Sequence, residues 1–252
     1  MTSELELEAV GDGPPILFVH GDVVPAAVGF RRQRPLASRW RLLLPNRPGF
    51  GSSPPLERSD FEAEAPLLAE LLGDGAHLVG HSYGALIALY VAAERPGAVR
   101  SLCVSEPPAL QLAAGVAAVD EMIADGRELY RDPDSIPDQA FLDLFRSGVG
   151  SVRATPDELP PELRRGVELL KRERPPWEAR PPVDVLAEAG FPKLVISGGH
   201  SPAFDAVCDA LAERIGADRA EIGGRAHSIP ATGEPYNRVL EDFLDAAEAA
   251  AP

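Results

Sequence analysis

Short hydrophobic segments bounded by turn residues recur along the chain, and longer segments of helical period lie between them. Short apolar runs of this kind are typical of strands buried on both faces of a sheet. They occupy residues 16–19, 42–44, 77–79, 99–105 and 194–197. Helical periodicity is found at residues 61–72, 86–94 and 204–215, and a last apolar stripe lies within 236–244. The alternation predicts an α/β protein whose largely parallel sheet carries helices on both faces.

Residues 107–182 interrupt this alternation. They contain no convincing strand pattern but three helix-like patterns, at residues 116–130, 139–146 and 158–172. The segment ends in a proline-rich stretch, residues 174–182, where extended backbone is favoured over helix. We therefore predict a helical insertion at 107–182 within a core domain formed by residues 1–106 and 183–252.

Composition and charge exclude several classes of protein. With 252 residues, 45% of them hydrophobic and 25% charged, the chain is long enough for one globular domain with a substantial core. The net charge of -15 disfavours a nucleic-acid partner. Cys103 and Cys208 lie in apolar runs, which predicts buried thiols, and no pattern implies a metal or a cofactor. Because neither a membrane span nor a signal peptide is recognisable, we expect a cytoplasmic protein that binds no membrane.

The run Gly80-His81-Ser82-Tyr83-Gly84 stands between a strand pattern and a helix pattern. A serine in such a turn adopts a strained backbone conformation that lifts its hydroxyl clear of the sheet edge, and small flanking residues avoid collision there. The N-terminus of the following helix favours negative charge. We therefore predict that Ser82 is a nucleophile.

A second turn supplies the electrostatic partner that such a nucleophile needs. Residues 16–19 lead into His20-Gly21-Asp22. Acyl transfer builds negative charge on the carbonyl oxygen, and a preset N–H donor aimed at that oxygen lowers the barrier by about 3–4 kcal/mol. We assign two such donors to the amides of Asp22 and Tyr83, with Gly21 beside the substrate. The Asp22 carboxylate would oppose the oxyanion unless it turns away or binds a polar substrate group.

The general base is expected in the loop at residues 223–228, which follows a short apolar run and precedes the last helix. A serine hydroxyl is a poor nucleophile until an imidazole accepts its proton, and His227 in this loop can approach Ser82 from a neighbouring strand. His20 is expected to hold its own turn by hydrogen bonds. His227 is therefore the predicted base.

Four motifs in this order resemble the α/β-hydrolase fold superfamily over nearly the whole chain. They lie at residues 19–21, 45–53, 80–84 and 224–227. The resemblance implies a mostly parallel eight-stranded sheet, a helical cap inserted after the sixth strand, and a catalytic triad in the order serine, acid, histidine. The insertion predicted at 107–182 falls where the cap of that family belongs.

The acid departs from the commonest pattern of the family. Many relatives carry an aspartate in the turn after the seventh strand, but Ser201 stands at that position here. Some relatives, including the zearalenone-lactonase type, place the acid after the sixth strand, where this chain has Glu106. We predict that Glu106 orients His227, with Asp205 as the alternative acid. His200, next to Ser201, is expected to be exposed.

The predicted cap supplies candidate walls for a substrate pocket: Met122, Leu129, Tyr130, Phe141, Phe145 and Trp177. The alternative for each is a place in the apolar core of the cap, since an amphipathic helix must bury its apolar face. The prediction is a serine hydrolase, monomeric or homodimeric, that cleaves a small-molecule carboxylic ester, lactone or thioester through an acyl-enzyme on Ser82 without cofactor or metal. One alternative is a natural-product-pathway enzyme of the same fold: a carbon–carbon hydrolase, lyase, cyclase or cofactor-free oxygenase. Another is a ligand-binding protein without activity. Dehalogenase and epoxide-hydrolase chemistry is disfavoured, because such relatives have an aspartate at the position of Ser82.

Overall fold

A twisted sheet forms the centre of the computed structural model, which describes residues 5–250. Within these residues the sheet has seven strands: β1 Leu7–Val10, β2 Pro15–Val19, β3 Arg41–Pro45, β4 Ala76–His81, β5 Val99–Ser105, β6 Lys193–Ser197 and β7 Asp218–Glu221. Their order across the sheet is β1-β3-β2-β4-β5-β6-β7. β1 pairs antiparallel with β3, and all other neighbours pair in parallel. The α/β class is confirmed.

Nine α-helices accompany the strands in the described part of the chain. They are α1 Ala26–Gly29, α2 Phe61–Ala69, α3 Tyr83–Glu94, α4 Ala117–Leu129, α5 Asp138–Gly148, α6 Pro161–Leu170, α7 Val183–Glu188, α8 Pro202–Ile215 and α9 Glu234–Ala250. One buried apolar cluster contains Leu68 of α2, Leu86 of α3 and Leu211 of α8. A second contains Trp40 and Leu240 of α9. The two clusters lie on opposite faces of the sheet, so both faces are covered as predicted.

The number of strands differs from the resemblance, which implies eight. The described residues form seven. β1 itself was not predicted. It is an edge strand whose residues alternate between exposed and half-buried, so it lacks the continuous apolar run that marks the inner strands.

The segment between β5 and β6 is helical, as its sequence predicts. Helices α4, α5 and α6 correspond to its three helix-like patterns, and no strand lies among residues 107–182. Its apolar residues Phe141, Val167 and Leu170 form a third cluster with Val23, which follows β2. The segment therefore packs over the carboxyl edge of the sheet. Its treatment as a cap on a separate core domain stays a prediction.

No helix within residues 5–250 is long and apolar enough to cross a membrane. Cys103 and Cys208 are both buried and unpaired, as the sequence predicts. Burial raises the pKa of each thiol to about 12, so neither is a thiolate near neutral pH.

Candidate active site

Ser82 lies in the turn between β4 and α3, with φ 56° and ψ -129°. Two glycines make this turn sterically possible. A Cβ on Gly80 would lie 2.6 Å from the Cα of Ala85, and one on Gly84 would lie 2.2 Å from the carbonyl oxygen of His20. Neither neighbour is a flexible side chain that could move aside. The pattern of small residues predicted around Ser82 is therefore a requirement of the local backbone.

A chain of two hydrogen bonds connects Ser82, His227 and Glu106. The Ser82 hydroxyl lies 2.9 Å from His227 Nε2, and His227 Nδ1 lies 2.6 Å from Glu106 Oε2. Because Nδ1 faces a carboxylate it donates, which leaves Nε2 free to accept the serine proton. Phe204 stacks on the imidazole at 4.7 Å between ring centroids and holds its plane. The geometry is that of a serine positioned beside a base.

Glu106 follows β5 directly and is fully buried. Burial raises the pKa of its carboxyl, but hydrogen bonds from His227, from the Gly198 amide at 2.7 Å and from His200 lower it by more, so the net shift is downward. A carboxylate that accepts several hydrogen bonds stays ionised near neutral pH. Glu106 can therefore stabilise a positive charge on the His227 ring.

His200 is not exposed, contrary to the expectation. Its side chain is 14% exposed, and its Nε2 lies 3.1 Å from the same Glu106 oxygen that faces His227. The Gly198-Gly199 loop after β6 brings it there. The ligand atoms of Glu106, His200 and His227 lie within 4.8 Å of one another, as in a metal site. The hydrogen bonds that Glu106 accepts account for this closeness.

The alternative acid lies elsewhere. Asp205 is in the first turn of α8, and its amide donates to the Ser201 carbonyl 2.9 Å away. Its buried oxygen Oδ1 has no hydrogen-bond partner among the described residues, and His227 is bonded to Glu106 instead. Ser201, at the family's usual acid position, caps α8 through its side chain.

Backbone strain is concentrated at this site. Among the described residues, four that are not glycine have positive φ: Val23 (74°), Ser82 (56°), Glu106 (43°) and Ala226 (47°). Each is a predicted site residue or adjoins one, since Val23 follows Asp22 and Ala226 precedes His227. Such conformations cost on the order of 1–3 kcal/mol each and persist where the surrounding structure fixes them.

The two predicted oxyanion donors flank Ser82. Tyr83 is the first residue of α3, and Asp22 follows Gly21, where an added Cβ would lie 3.0 Å from the Ser82 Cβ. The Asp22 carboxylate turns to Arg47, with Oδ1 3.0 Å from Nη1. The carboxylate is therefore paired with a cation and turned away from an oxyanion bound at the Asp22 amide. This removes the objection that the sequence raised.

Arg47 is a member of the site that the sequence reasoning missed. It is fully buried, and its guanidinium binds both oxygens of buried Glu64 at 2.7 and 3.1 Å as well as Asp22. The Arg47 amide donates to His20 Nε2 at 2.9 Å, while His20 Nδ1 donates to the Gly21 carbonyl. Burial and the charge of Arg47 lower the pKa of His20 to about 3, so the ring is neutral.

A signal for this cluster was present in the sequence. Glu64 shares one face of α2 with buried Phe61, Ala65 and Leu68, at the spacing of an apolar stripe. A charge on such a stripe must be paired, because an isolated buried charge is strongly unfavourable. Glu64 could therefore have indicated a buried cation, although nothing in the spacing identifies Arg47.

Two cavities meet at Ser82. The first, of about 250 Å³, is lined by Ser82, His227 and five arginines, and is called the arginine-lined pocket; the arginines are Arg31, Arg32, Arg146, Arg153 and Arg225. The second, of about 640 Å³, is called the acid-lined cavity; its lining includes Ser82, Tyr83, Asp22, Asp125, Glu128 and Glu173.

Most of the predicted wall residues line these cavities. The acid-lined cavity is bounded by Met122, Leu129, Tyr130, Phe145 and Trp177, and Gly21 lines the arginine-lined pocket. Phe141 was wrongly predicted as a wall. It is completely buried against Val167 and the Tyr130 ring, because the apolar face of α5 packs inside the helical segment.

Comparisons with known proteins agree with the fold. The sequence model described as "Alpha/beta hydrolase family" matches residues 16–246. A pimeloyl-[acyl-carrier protein] methyl ester esterase of Chromobacterium violaceum is 34% identical over 63% of this chain, and the match covers 64% of that relative's length.

Two solved structures share the fold. A carboxylesterase structure from Nitrososphaera gargenis superimposes with a TM-score of 0.74 at 15% identity, covering 98% of this chain and 96% of the other. An alpha/beta hydrolase from Sphaerobacter thermophilus gives 0.66 at 24% identity, covering 95% and 96%. Because the family model spans most of the sequence and the sheet has the family's architecture, this chain belongs to the alpha/beta hydrolase family.

Proposed function

We propose that this protein is a carboxylic ester hydrolase that works through an acyl-enzyme on Ser82. The observation that carries the proposal is the pair of hydrogen bonds from Ser82 to His227 (2.9 Å) and from His227 to Glu106 (2.6 Å). They lie at a strained turn between two cavities large enough for a substrate. Acyl transfer requires a hydroxyl hydrogen-bonded to a base that is in turn hydrogen-bonded to an orienting acid.

In the first half of the reaction, Ser82 Oγ attacks the carbonyl carbon as its proton passes to His227 Nε2. The ionised Glu106 stabilises the imidazolium that forms. The amides of Asp22 and Tyr83 donate to the oxyanion. His227 then gives its proton to the leaving oxygen, and water releases the acyl group by the reverse sequence.

The position of His227 gives the two cavities different roles. The leaving oxygen must lie within reach of His227 Nε2, and His227 lines the arginine-lined pocket but not the acid-lined cavity. The alcohol portion therefore occupies the arginine-lined pocket. The acyl portion occupies the larger cavity, whose walls are mostly apolar.

Two relatives support esters as the substrate class. One is named as a methyl ester esterase and one is a carboxylesterase. A lactone or a thioester presents the same carbonyl to the same groups, so both belong to the proposal. The comparisons cover about two thirds of the methyl ester esterase, and its particular acyl carrier substrate is not part of the proposal.

The proposal is tested with a panel of p-nitrophenyl esters, one lactone and one thioester. We expect hydrolysis of at least one class by the wild type and loss of about 10⁵-fold or more in kcat for Ser82→Ala. Asp205→Asn serves as the control and should keep kcat within about threefold. Turnover of the panel by Ser82→Ala at the wild-type rate would refute the proposal.

A further inference from the structure

The acid-lined cavity has an unusual charge composition. Four of the residues that line it are acidic, and none of its lining residues in the described chain is Arg, Lys or His. Asp125 and Glu128 lie on α4 and are exposed, and Glu128 is paired with Arg131 at 2.7 Å. Asp22 and Glu173 are the buried pair, and Glu173 is the one without a cation.

Glu173 lies just after α6, with 5% of its surface exposed. Its Oε1 accepts a hydrogen bond from the Tyr130 hydroxyl at 2.9 Å. Its Oε2 is buried and has no hydrogen-bond donor among the described residues. Tyr130 in turn packs edge-on against the Trp177 ring, 5.6 Å between centroids, so the carboxyl is held in one position at the cavity wall.

The charges around Glu173 do not compensate it. Arg47 is shared by Asp22 and Glu64, so these three side chains already sum to one negative charge. Burial raises the pKa of Glu173 well above its usual value, and the negative charge of Asp22 raises it further. The Glu173 and Asp22 carboxyls are also hydrogen-bonded to each other, so the pair favours a shared proton in the absence of a cation of its own.

We propose that the Glu173 carboxyl, together with Asp22, binds a protonated amine on the acyl portion of the substrate. A protonated amine brings positive charge and can donate to both carboxyls in place of the proton that they share. Trp177 and Tyr130 add aromatic faces, which attract cations. A carboxylate at this end would meet only acidic oxygens. This inference rests on the proposed function for the placement of the acyl portion.

The test compares p-nitrophenyl esters of hexanoic, 6-hydroxyhexanoic, 6-aminohexanoic and 8-aminooctanoic acids at pH 7. We expect kcat/KM for an amino ester to exceed that for the hexanoate by about tenfold or more in the wild type. The amino-to-methyl ratio should fall to near one in Glu173→Gln. Glu168→Gln removes a partly exposed carboxylate from α6, the helix that precedes Glu173, and should keep the wild-type ratio.

The inference is overturned by equal kcat/KM for amino and methyl esters in the wild type, or by a ratio that Glu173→Gln leaves unchanged. A preference for the hydroxy ester equal to that for the amino ester also contradicts it. Calorimetric binding of hexylammonium chloride and hexan-1-ol tests the subsite without hydrolysis. The wild type should bind hexylammonium at least about tenfold more tightly than Glu173→Gln does. If esters are not cleaved but this difference is found, only the proposed function fails.

Discussion

The two cavities beside Ser82 are lined by side chains of opposite charge. Five arginines and one acidic residue, Asp22, line the smaller one; four acidic residues and no basic one line the larger. The net charge of -15 gives no hint of this division. The charge of each cavity is therefore set by the segments that line it. One nucleophile, Ser82, lies between a cavity that attracts anions and a cavity that attracts cations.

The difference follows from the chain segments that form each wall. Arg31 and Arg32 come from the turn after α1, Arg146 and Arg153 from the end of α5 and the loop beyond it, and Arg225 from the loop that carries His227. The acidic residues of the larger cavity instead come from the turn after β2 (Asp22), from α4 (Asp125 and Glu128) and from the segment after α6 (Glu173). The helical segment at 107–182 thus contributes to both sides.

The largest expected effect lies where the two cavities meet and should not distinguish them. In Glu106→Gln the amide cannot stabilise the His227 imidazolium, so we expect kcat to fall by about 10⁴-fold for every ester, whatever its charge. Asp205→Asn is the matched control and should stay near wild type. Steady-state kinetics together with thermal unfolding separates this loss from misfolding. If kcat instead falls in Asp205→Asn and not in Glu106→Gln, Asp205 is the acid of the triad.

The next effect concerns Arg47, which pairs with Asp22 at the wall of the acid-lined cavity and with Glu64. Arg47→Met leaves the buried carboxylates of Asp22 and Glu64 without their cation, so we expect unfolding free energy to drop by about 3–5 kcal/mol. Urea denaturation measures it. Arg127→Met, on exposed α4 surface, should change stability by less than about 0.5 kcal/mol. Adding Glu64→Gln to Arg47→Met should recover part of the lost stability. Equal stability of Arg47→Met and Arg127→Met would refute the pairing of Arg47 with the two carboxylates.

A smaller effect should be confined to the arginine-lined pocket. Replacing Arg153 and Arg225 together with Ala removes two exposed positive charges from its rim. We expect the kcat/KM ratio of an ester with a sulfonated alcohol portion to its neutral analogue to fall about tenfold at low salt, and by less at high salt, because ions screen exposed charges. Arg127→Ala is the control. An unchanged ratio would contradict the placement of the alcohol portion in the arginine-lined pocket.

The smallest effect separates a cavity wall from packed interior. Trp177→Ala enlarges the acid-lined cavity, so we expect the preferred acyl chain to lengthen and kcat/KM for long-chain esters to rise a few-fold relative to short-chain ones. Phe141→Leu should leave the chain-length profile unchanged and lower the free energy of unfolding by about 1 kcal/mol, because Phe141 is buried away from both cavities. A shifted profile in Phe141→Leu would contradict its placement.

Much of the fold was readable in the sequence, for a physical reason. The inner strands β2, β4, β5 and β6 are buried on both faces and need continuous apolar residues, whereas the edge strand β1 needs none and was missed. Ser82 was readable because its backbone conformation tolerates only small neighbours.

The features that were not readable depend on contacts between residues far apart in the chain. The Tyr130–Glu173 bond and the Arg47–Glu64 pair join separate elements, and no local pattern encodes them. His200 was expected to be exposed, but the turn after β6 directs it onto Glu106. Phe141 and Phe145 lie on one helix, and only the packing of α5 decides which of them meets the cavity.

The central claim is that Ser82 carries the acyl group. It is tested most directly by treating the protein with a fluorophosphonate and locating the adduct by peptide mass spectrometry. We expect one label per chain, on the peptide that contains Ser82, and no label on Ser82→Ala. A label on another residue, or none on a preparation that hydrolyses esters, would contradict it.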